Sequence, residues 1–131
     1  MNLLLDTHAF IWFDEQPDKL SQPAIDALMN ENNQLYLSIA SVWEMQIKIQ
    51  LEKLQLKGPL KRLVDSHRKV NGLKLLPISV DDVYQQGLLP FHHKDPFDRI
   101  IISQAISHQM PLVTKDCKIN AYQPEVTLLW D

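Results

Sequence analysis

Four carboxylates stand where apolar segments end. Asp6 follows Leu3-Leu4-Leu5, Glu44 follows Ser41-Val42-Trp43, Asp98 sits in Asp95-Pro96-Phe97-Asp98-Arg99, and Asp116 closes Leu112-Val113-Thr114-Lys115-Asp116. Asp6 and Asp116 come after runs that read as buried strands, whereas Glu44 and Asp98 fall in the first turns of predicted helices. An α/β fold can gather all four at one edge of its sheet. Carboxylates gathered there repel one another unless a cation neutralises them, which calls for a hard divalent metal. The chemistry this suggests is metal-assisted phosphodiester cleavage.

Each acid also has a plainer role. Asp6, at a strand-to-helix junction, is equally suited to capping the helix. Ser41-x-x-Glu44 matches a capping box, and Glu44 can pair with Lys48 one turn on. A helical wheel nevertheless puts Glu44 beside Ala40 and Leu51, at the border of the apolar arc, where it either reaches solvent or faces a site. Asp95 before Pro96 reads as an N-cap. Asp98 shares a stripe with Ile101, Ile102 and Ala105, so its charge must be compensated by a metal or by Arg99. Asp116 suits a turn after a strand. Thr114 suits either a β-branched strand position or the orienting of a ligand or water.

Other constellations fall short. His8, His67, His92, His93 and His108 show no paired zinc spacing, and His92-His93 reads as part of a polar loop. Three glycines form no phosphate loop, and there is no Gly-x-Ser-x-Gly elbow. The single cysteine, Cys117, excludes an internal disulfide and a cysteine-based zinc cluster. Trp12, Phe13 and Trp43 read as core residues, although the first helix carries more aromatic bulk than one buried face needs.

The elements that must position the acids alternate. Strands are expected at Asn2–Leu5, Gln34–Leu37, Leu73–Ile78, Leu112–Thr114 and Val126–Leu129. Helices are expected at Thr7–Phe13, from the Ser21 cap to about Asn32, from Ser38 or Ser41 to about Leu54, and from Pro59 to about Val70. Two more run from Ser79 to near Gly87 and from Pro96 to His108. Alternation of this kind predicts a parallel sheet of about five strands flanked by helices, with every strand ending at one edge.

With 131 residues and 45% hydrophobic content, residues 1–131 are expected to form one domain with a real core. The run Leu3–Leu5 is too short for a signal-peptide core, and no apolar stretch approaches a membrane span, so the expected location is the cytoplasm. The net charge of −3 is unevenly spread. Residues 51–74 hold Lys53, Lys57, Lys61, Arg62, Arg68, Lys69 and Lys74 against only Glu52 and Asp65, and both flanking regions are acidic. A basic segment beside an acidic site suits an enzyme that holds cations in one place and phosphates in another. A solvated helix face would show the same charge run.

These residues resemble the PIN-domain family, specifically the VapC-like ribonuclease toxins of prokaryotic toxin–antitoxin pairs. Leu3-Leu4-Leu5-Asp6-Thr7-His8-Ala9-Phe10-Ile11-Trp12, Ser41-x-x-Glu44, Asp95-Pro96-Phe97-Asp98-Arg99 and Thr114-Lys115-Asp116 occur in the family's order over essentially the whole chain. The resemblance implies a PIN-like α/β domain, dependence on Mg²⁺ or Mn²⁺, endonucleolytic cleavage of RNA, a cognate antitoxin protein and a homodimer. By position, Asp6, Glu44, Asp98 and Asp116 match the family's acidic quartet, with Asp95, Arg99 and Thr114 in support. The acids would hold one or two ions, roughly 3.5–4 Å apart if there are two, leaving 5′-phosphate and 3′-hydroxyl ends. Asp6 and Asp98 are expected to be the most direct ligands. Lys61, Arg62, Arg68 and Lys69 are the candidate RNA contacts, and Trp12 with Phe13 the candidate antitoxin groove. Two other readings compete: a PIN-like scaffold that binds RNA or protein without cleaving, and a receiver-like magnesium-binding phosphoacceptor. The latter normally needs an adjacent early acidic pair, and here Asp6 stands alone.

Overall fold

Leu3, Leu4 and Leu5 are wholly shielded from solvent, which places the first strand at the centre of the molecule. The structure is a computed structural model that describes residues 1–123 and 125–130. Strands β1 (Asn2–Leu5), β2 (Gln34–Ser38), β3 (Lys74–Leu76), β4 (Leu112–Val113) and β5 (Leu128–Leu129) form one parallel sheet in the order β3-β2-β1-β4-β5. A central parallel strand is covered on both faces, so its residues are apolar without alternation. Leu3 and Leu5 join Phe10, Leu37, Met45 and Val64 in one core, while Leu4 joins Ile101, Ile102 and Leu112 in the other.

Helices α1 (Thr7–Glu15), α2 (Gln22–Met29), α3 (Ile39–Gln50) and α4 (Leu60–Val70) contribute mainly to the first core. Helix α6 (Pro96–Ser107) fills the second and packs against α5 (Val80–Gly87). The chain steps outward from β1 through β2 to β3, then returns past β1 to β4. Right-handed crossovers put the helices on opposite faces when the direction of travel reverses. Between β1 and β4 the two directions diverge, and a crevice opens at the strand ends.

Polar caps fix where the helices begin. Ser21 accepts the Ala24 N–H, Ser79 and Asp82 form a reciprocal capping box, and Asp95 accepts the N–H groups of Phe97 and Asp98. Ser38, and not Ser41, caps α3 through the Ala40 N–H, so Glu44 lies in the second turn and takes no part in a capping box. Several expected elements prove shorter. Helix α2 ends at Met29 because Asn30 is already extended, and α3 ends at Gln50, two residues before Glu52 takes the left-handed conformation. Strand β3 stops before Pro77, which has no N–H to donate. Strand β4 stops at Val113, and only Leu128–Leu129 pair as β5. Helix α1 instead runs on to Glu15, and short 3₁₀ turns at Pro17–Lys19 and Cys117–Tyr122 had no clear sequence signal. Among the described residues, no helix is long and apolar enough to cross a membrane.

Candidate metal centre

Asp6 leaves the end of β1 and its N–H still bonds the Val113 carbonyl of β4, so its side chain stands at the crevice between the two strands. Ligand sites in open α/β sheets favour this point of divergence. Glu44 arrives from α3, Asp98 from the first turn of α6, and Asp116 from the loop just after β4. Asp6 and Glu44 are buried, while Asp98 and Asp116 are half-buried.

Each carboxylate is held by at least one donor from another element. Asp6 Oδ1 accepts the Ala9 N–H at 2.7 Å, and Oδ2 accepts from the Thr114 hydroxyl. Capping and site-building are therefore one role for Asp6. Thr7 donates to Glu44 Oε1 at 2.6 Å, and the Lys48 ammonium binds Oε2 at 2.8 Å. Asp116 Oδ1 accepts the Lys118 N–H at 2.9 Å, as an ordinary turn aspartate would. Its Oδ2 lies 2.9 Å from His93 Nε2, and Asp98 Oδ2 lies 3.0 Å from the same nitrogen.

The charges strain against this arrangement. Burial pushes the Asp6 carboxyl above its ordinary range, only partly offset by the Thr114 and Ala9 bonds. Asp98 is pushed up to about 7, first by burial and then by the charges of Asp95, Glu44 and Asp6. Burial disfavours the charge of Lys48, but its bond to Glu44 and the fields of Asp95 and Asp98 outweigh this and raise its pKa. Lys48 is already bonded to Glu44, so the cluster keeps an excess of negative charge. Its carboxylate oxygens are hard ligands, which suit a hard divalent cation and give no reason to invoke a soft metal.

The expected supporting residues behave unevenly. Arg99 does not compensate Asp98. Its guanidinium is buried and donates to the carbonyls of Gln86, Leu89, Pro90 and His93 and to the Gln86 side chain, with Phe91 stacked at 4.2 Å. It pins the loop before α6. Asp95 caps α6, and its N–H bonds His93 Nδ1 at 3.2 Å. His93, read from sequence as part of a polar loop, is buried against the acids, and only the DPFD segment close by could have hinted at it. Trp43 is 59% exposed and meets Phe97 edge-on at 5.2 Å, because turning Glu44 inward turns its neighbour outward.

Trp12 lines a cavity of about 460 Å³ with Asp6, His8, Lys115, Asp116 and Cys117. Phe13 packs instead toward α4, 5.5 Å from His67. Lys61, Arg62 and Lys69 line a separate groove of about 560 Å³ along α4 that none of the four acids borders. Arg68 and Lys69 sit with Gly72, Leu73 and Lys74, where β3 begins, at the opposite end from the acids.

The family model of the PIN domain matches residues 3–123. Ribonuclease VapC22 of Mycobacterium tuberculosis (strain ATCC 25618 / H37Rv) is 29% identical over 134 residues, spanning 98% of each chain. Among solved structures, VapBC2 from Rickettsia felis bound to a promoter DNA fragment superposes with a TM-score of 0.74 at 22% identity over all of both chains. DNA-bound VapBC from Salmonella typhimurium gives a TM-score of 0.67 at 15% identity, covering 98% of this chain and 96% of that one.

A raised carboxyl predicts a pH effect of definite sign. Between the ordinary value of 3.8 and about 7, the folded metal-free protein holds a proton on Asp98 that the unfolded chain has released. Stability therefore falls as pH rises through that window. In EDTA, the thermal midpoint of Asp98→Asn should exceed that of the wild type by a margin that widens from pH about 4 to about 7. Mg²⁺ should raise the wild-type midpoint most at the upper end. A margin independent of pH would contradict the assignment.

Proposed function

The chain belongs to the PIN-domain family, and from that premise we propose that it is a metal-dependent endoribonuclease acting as the toxin of a toxin–antitoxin pair. The observation that carries this reading is the convergence of Asp6, Glu44, Asp98 and Asp116 from four elements on the crevice between β1 and β4, with Asp6 and Asp98 pushed toward neutrality. The name of the M. tuberculosis relative states a ribonuclease, and a structural neighbour from Klebsiella pneumoniae is a toxin–antitoxin complex.

In this reading Asp6 and Asp98 are the most direct ligands of Mg²⁺ or Mn²⁺, and Glu44 and Asp116 complete the set or hold ligating waters. When bound, the ion supplies Lewis-acid activation of water and neutralises charge at the scissile phosphate. Thr114 and the Ala9 N–H orient Asp6, and Thr7 and Lys48 orient Glu44. Hydrolysis leaves 5′-phosphate and 3′-hydroxyl ends. The protein works in the cytoplasm, where its RNA is found, and the basic residues of α4 attract that RNA by charge.

A homodimer is supported by an inverted helix. Val80, Val83 and Tyr84 on one side of α5, with Leu88 just after it, are exposed, whereas the residue of α5 turned inward is Asp82. A second copy would cover that stripe. For the antitoxin, Trp12 offers an apolar anchor beside Asp6 and Asp116, flanked by Lys19 and Lys115. A basic antitoxin residue entering there competes with the metal for the carboxylates.

Purified protein should cut mixed RNA with Mg²⁺ or Mn²⁺ and stop in EDTA. Asp98→Asn should cut slower by on the order of a hundredfold or more while remaining folded, since even partners outside a metal's immediate contacts cost up to about that much. Glu44→Gln should also suppress cleavage. Wild-type rates in both variants with Mg²⁺ would overturn the reading.

Neutralising Lys61, Arg62, Arg68 and Lys69 together should weaken RNA binding and flatten its dependence on log salt by up to about 2.8, at ~0.7 per lost phosphate contact. An unchanged slope assigns these residues to a solvated face.

Trp12→Ala should weaken antitoxin binding by about 2 kcal/mol, the scale of a buried aromatic anchor. Unchanged affinity in folded protein, judged by circular dichroism, would place the groove elsewhere.

A further inference from the structure

His93 lies between two of the proposed metal-holding acids, and its hydrogen bonds determine which way it can act. Nε2 is 3.0 Å from Asp98 Oδ2 and 2.9 Å from Asp116 Oδ2. An imidazole so close to two carboxylates could be a third ligand of the metal, since the three residues offer ligand atoms within 4.8 Å of one another. The other face of the ring argues against that. The Asp95 backbone N–H points at Nδ1 from 3.2 Å. A backbone N–H can only donate, so Nδ1 must present its lone pair and the ring hydrogen must sit on Nε2. A protonated Nε2 has no lone pair for a metal, and it faces two acceptors.

We infer that His93 is a positioning residue: a fixed N–H donor that ties Asp98, at the start of α6, to Asp116, in the loop after β4, and so holds both carboxylates facing the metal position. The inference rests on the reading of those acids as metal-holding. His93 has little freedom to do anything else. Its N–H donates to the Tyr122 hydroxyl at 3.0 Å, and its carbonyl accepts from Arg99 at 3.1 Å. Tyr122 in turn donates to the Pro90 carbonyl at 2.6 Å, and Arg99 binds the carbonyls of Gln86, Leu89 and Pro90. The buried arginine thus has a purpose at the site without touching it: it fixes the loop that delivers the imidazole. Without the shared donor, Asp98 and Asp116 would face each other as bare like charges, and the loop after β4 would be free to separate them.

The test combines two measurements on the full chain. Long-range ¹H–¹⁵N spectra of wild-type protein, metal-free and with diamagnetic Mg²⁺, report the tautomer directly. Nε2 should carry the hydrogen in both states, and a hydrogen on Nδ1 with Mg²⁺ bound would make His93 a ligand and overturn the inference. Calorimetric titration with Mn²⁺ gives the second readout. His93→Ala should bind roughly 10–100-fold more weakly than wild type, the usual loss for a partner that orients a ligand. His93→Gln keeps an N–H at similar reach and should recover most of that affinity. Equal binding by wild type and His93→Ala sinks this inference alone. Failure of the wild type to bind Mn²⁺ at all sinks the metal-dependent function and this inference with it.

Discussion

Holding several carboxylates within one another's field in a partly buried crevice is unfavourable, and much of this fold is arranged around tolerating it. Water is removed from Asp6 and Glu44, and Asp98 is left with a carboxyl that titrates near neutrality. Such a cluster survives folding only if its members cannot relax away from one another. The rigidity comes from the central strands. Asp6 and Asp116 extend from neighbouring parallel strands whose residues Leu3–Leu5 and Leu112–Val113 are fully buried, so their backbones have nowhere to go.

The donors that hold the acids come from backbone and hydroxyl groups more than from opposite charges. Thr7, Thr114, the Ala9 N–H, the Lys118 N–H and His93 account for most of the bonds, and among the described residues Lys48 is the lysine or arginine that contacts one of the four acids directly. This division has a physical logic. Neutral donors fix direction without cancelling the field, so the attraction for a divalent ion survives. A full set of arginine or lysine partners would satisfy the acids and remove the reason to bind one. Arg99 illustrates the same economy, because its charge is solvated by carbonyls of the preceding loop and kept off Asp98.

Around this centre the surface is unevenly finished. The Trp43 and Phe97 rings pair edge-on beside the acids, and α5 presents its apolar side outward. A helix whose inward-facing residue is an aspartate cannot owe its place to its own hydrophobic face. Asp82 is held by Ser79 and by Gln104 of α6, so polar bonds attach it.

Much of this was legible in the chain itself. Strand-helix alternation pointed to a parallel sheet, and the uninterrupted Leu3–Leu5 run fits a strand covered on both faces. The four acids, each at the end of an apolar segment, determined one acidic edge, because parallel strands with right-handed crossovers all end on the same side. Local caps such as Ser21 and Asp95 were equally plain, being set by neighbours three residues away. Tertiary structure decided the rest: that Ser38 caps α3 and places Glu44 a turn deeper, that Arg99 turns to carbonyls, and that His93 leaves an apparently polar loop to bridge two acids. The Arg99 and His93 contacts depend on partners 6 to 32 residues apart in the chain, such as His93 with Asp116 and, behind it, Tyr122 with Pro90, whereas the choice of Ser38 over Ser41 is a local one that both hydroxyls could have made. A local pattern carries no information about which distant donor will meet a side chain until the sheet has brought the two together.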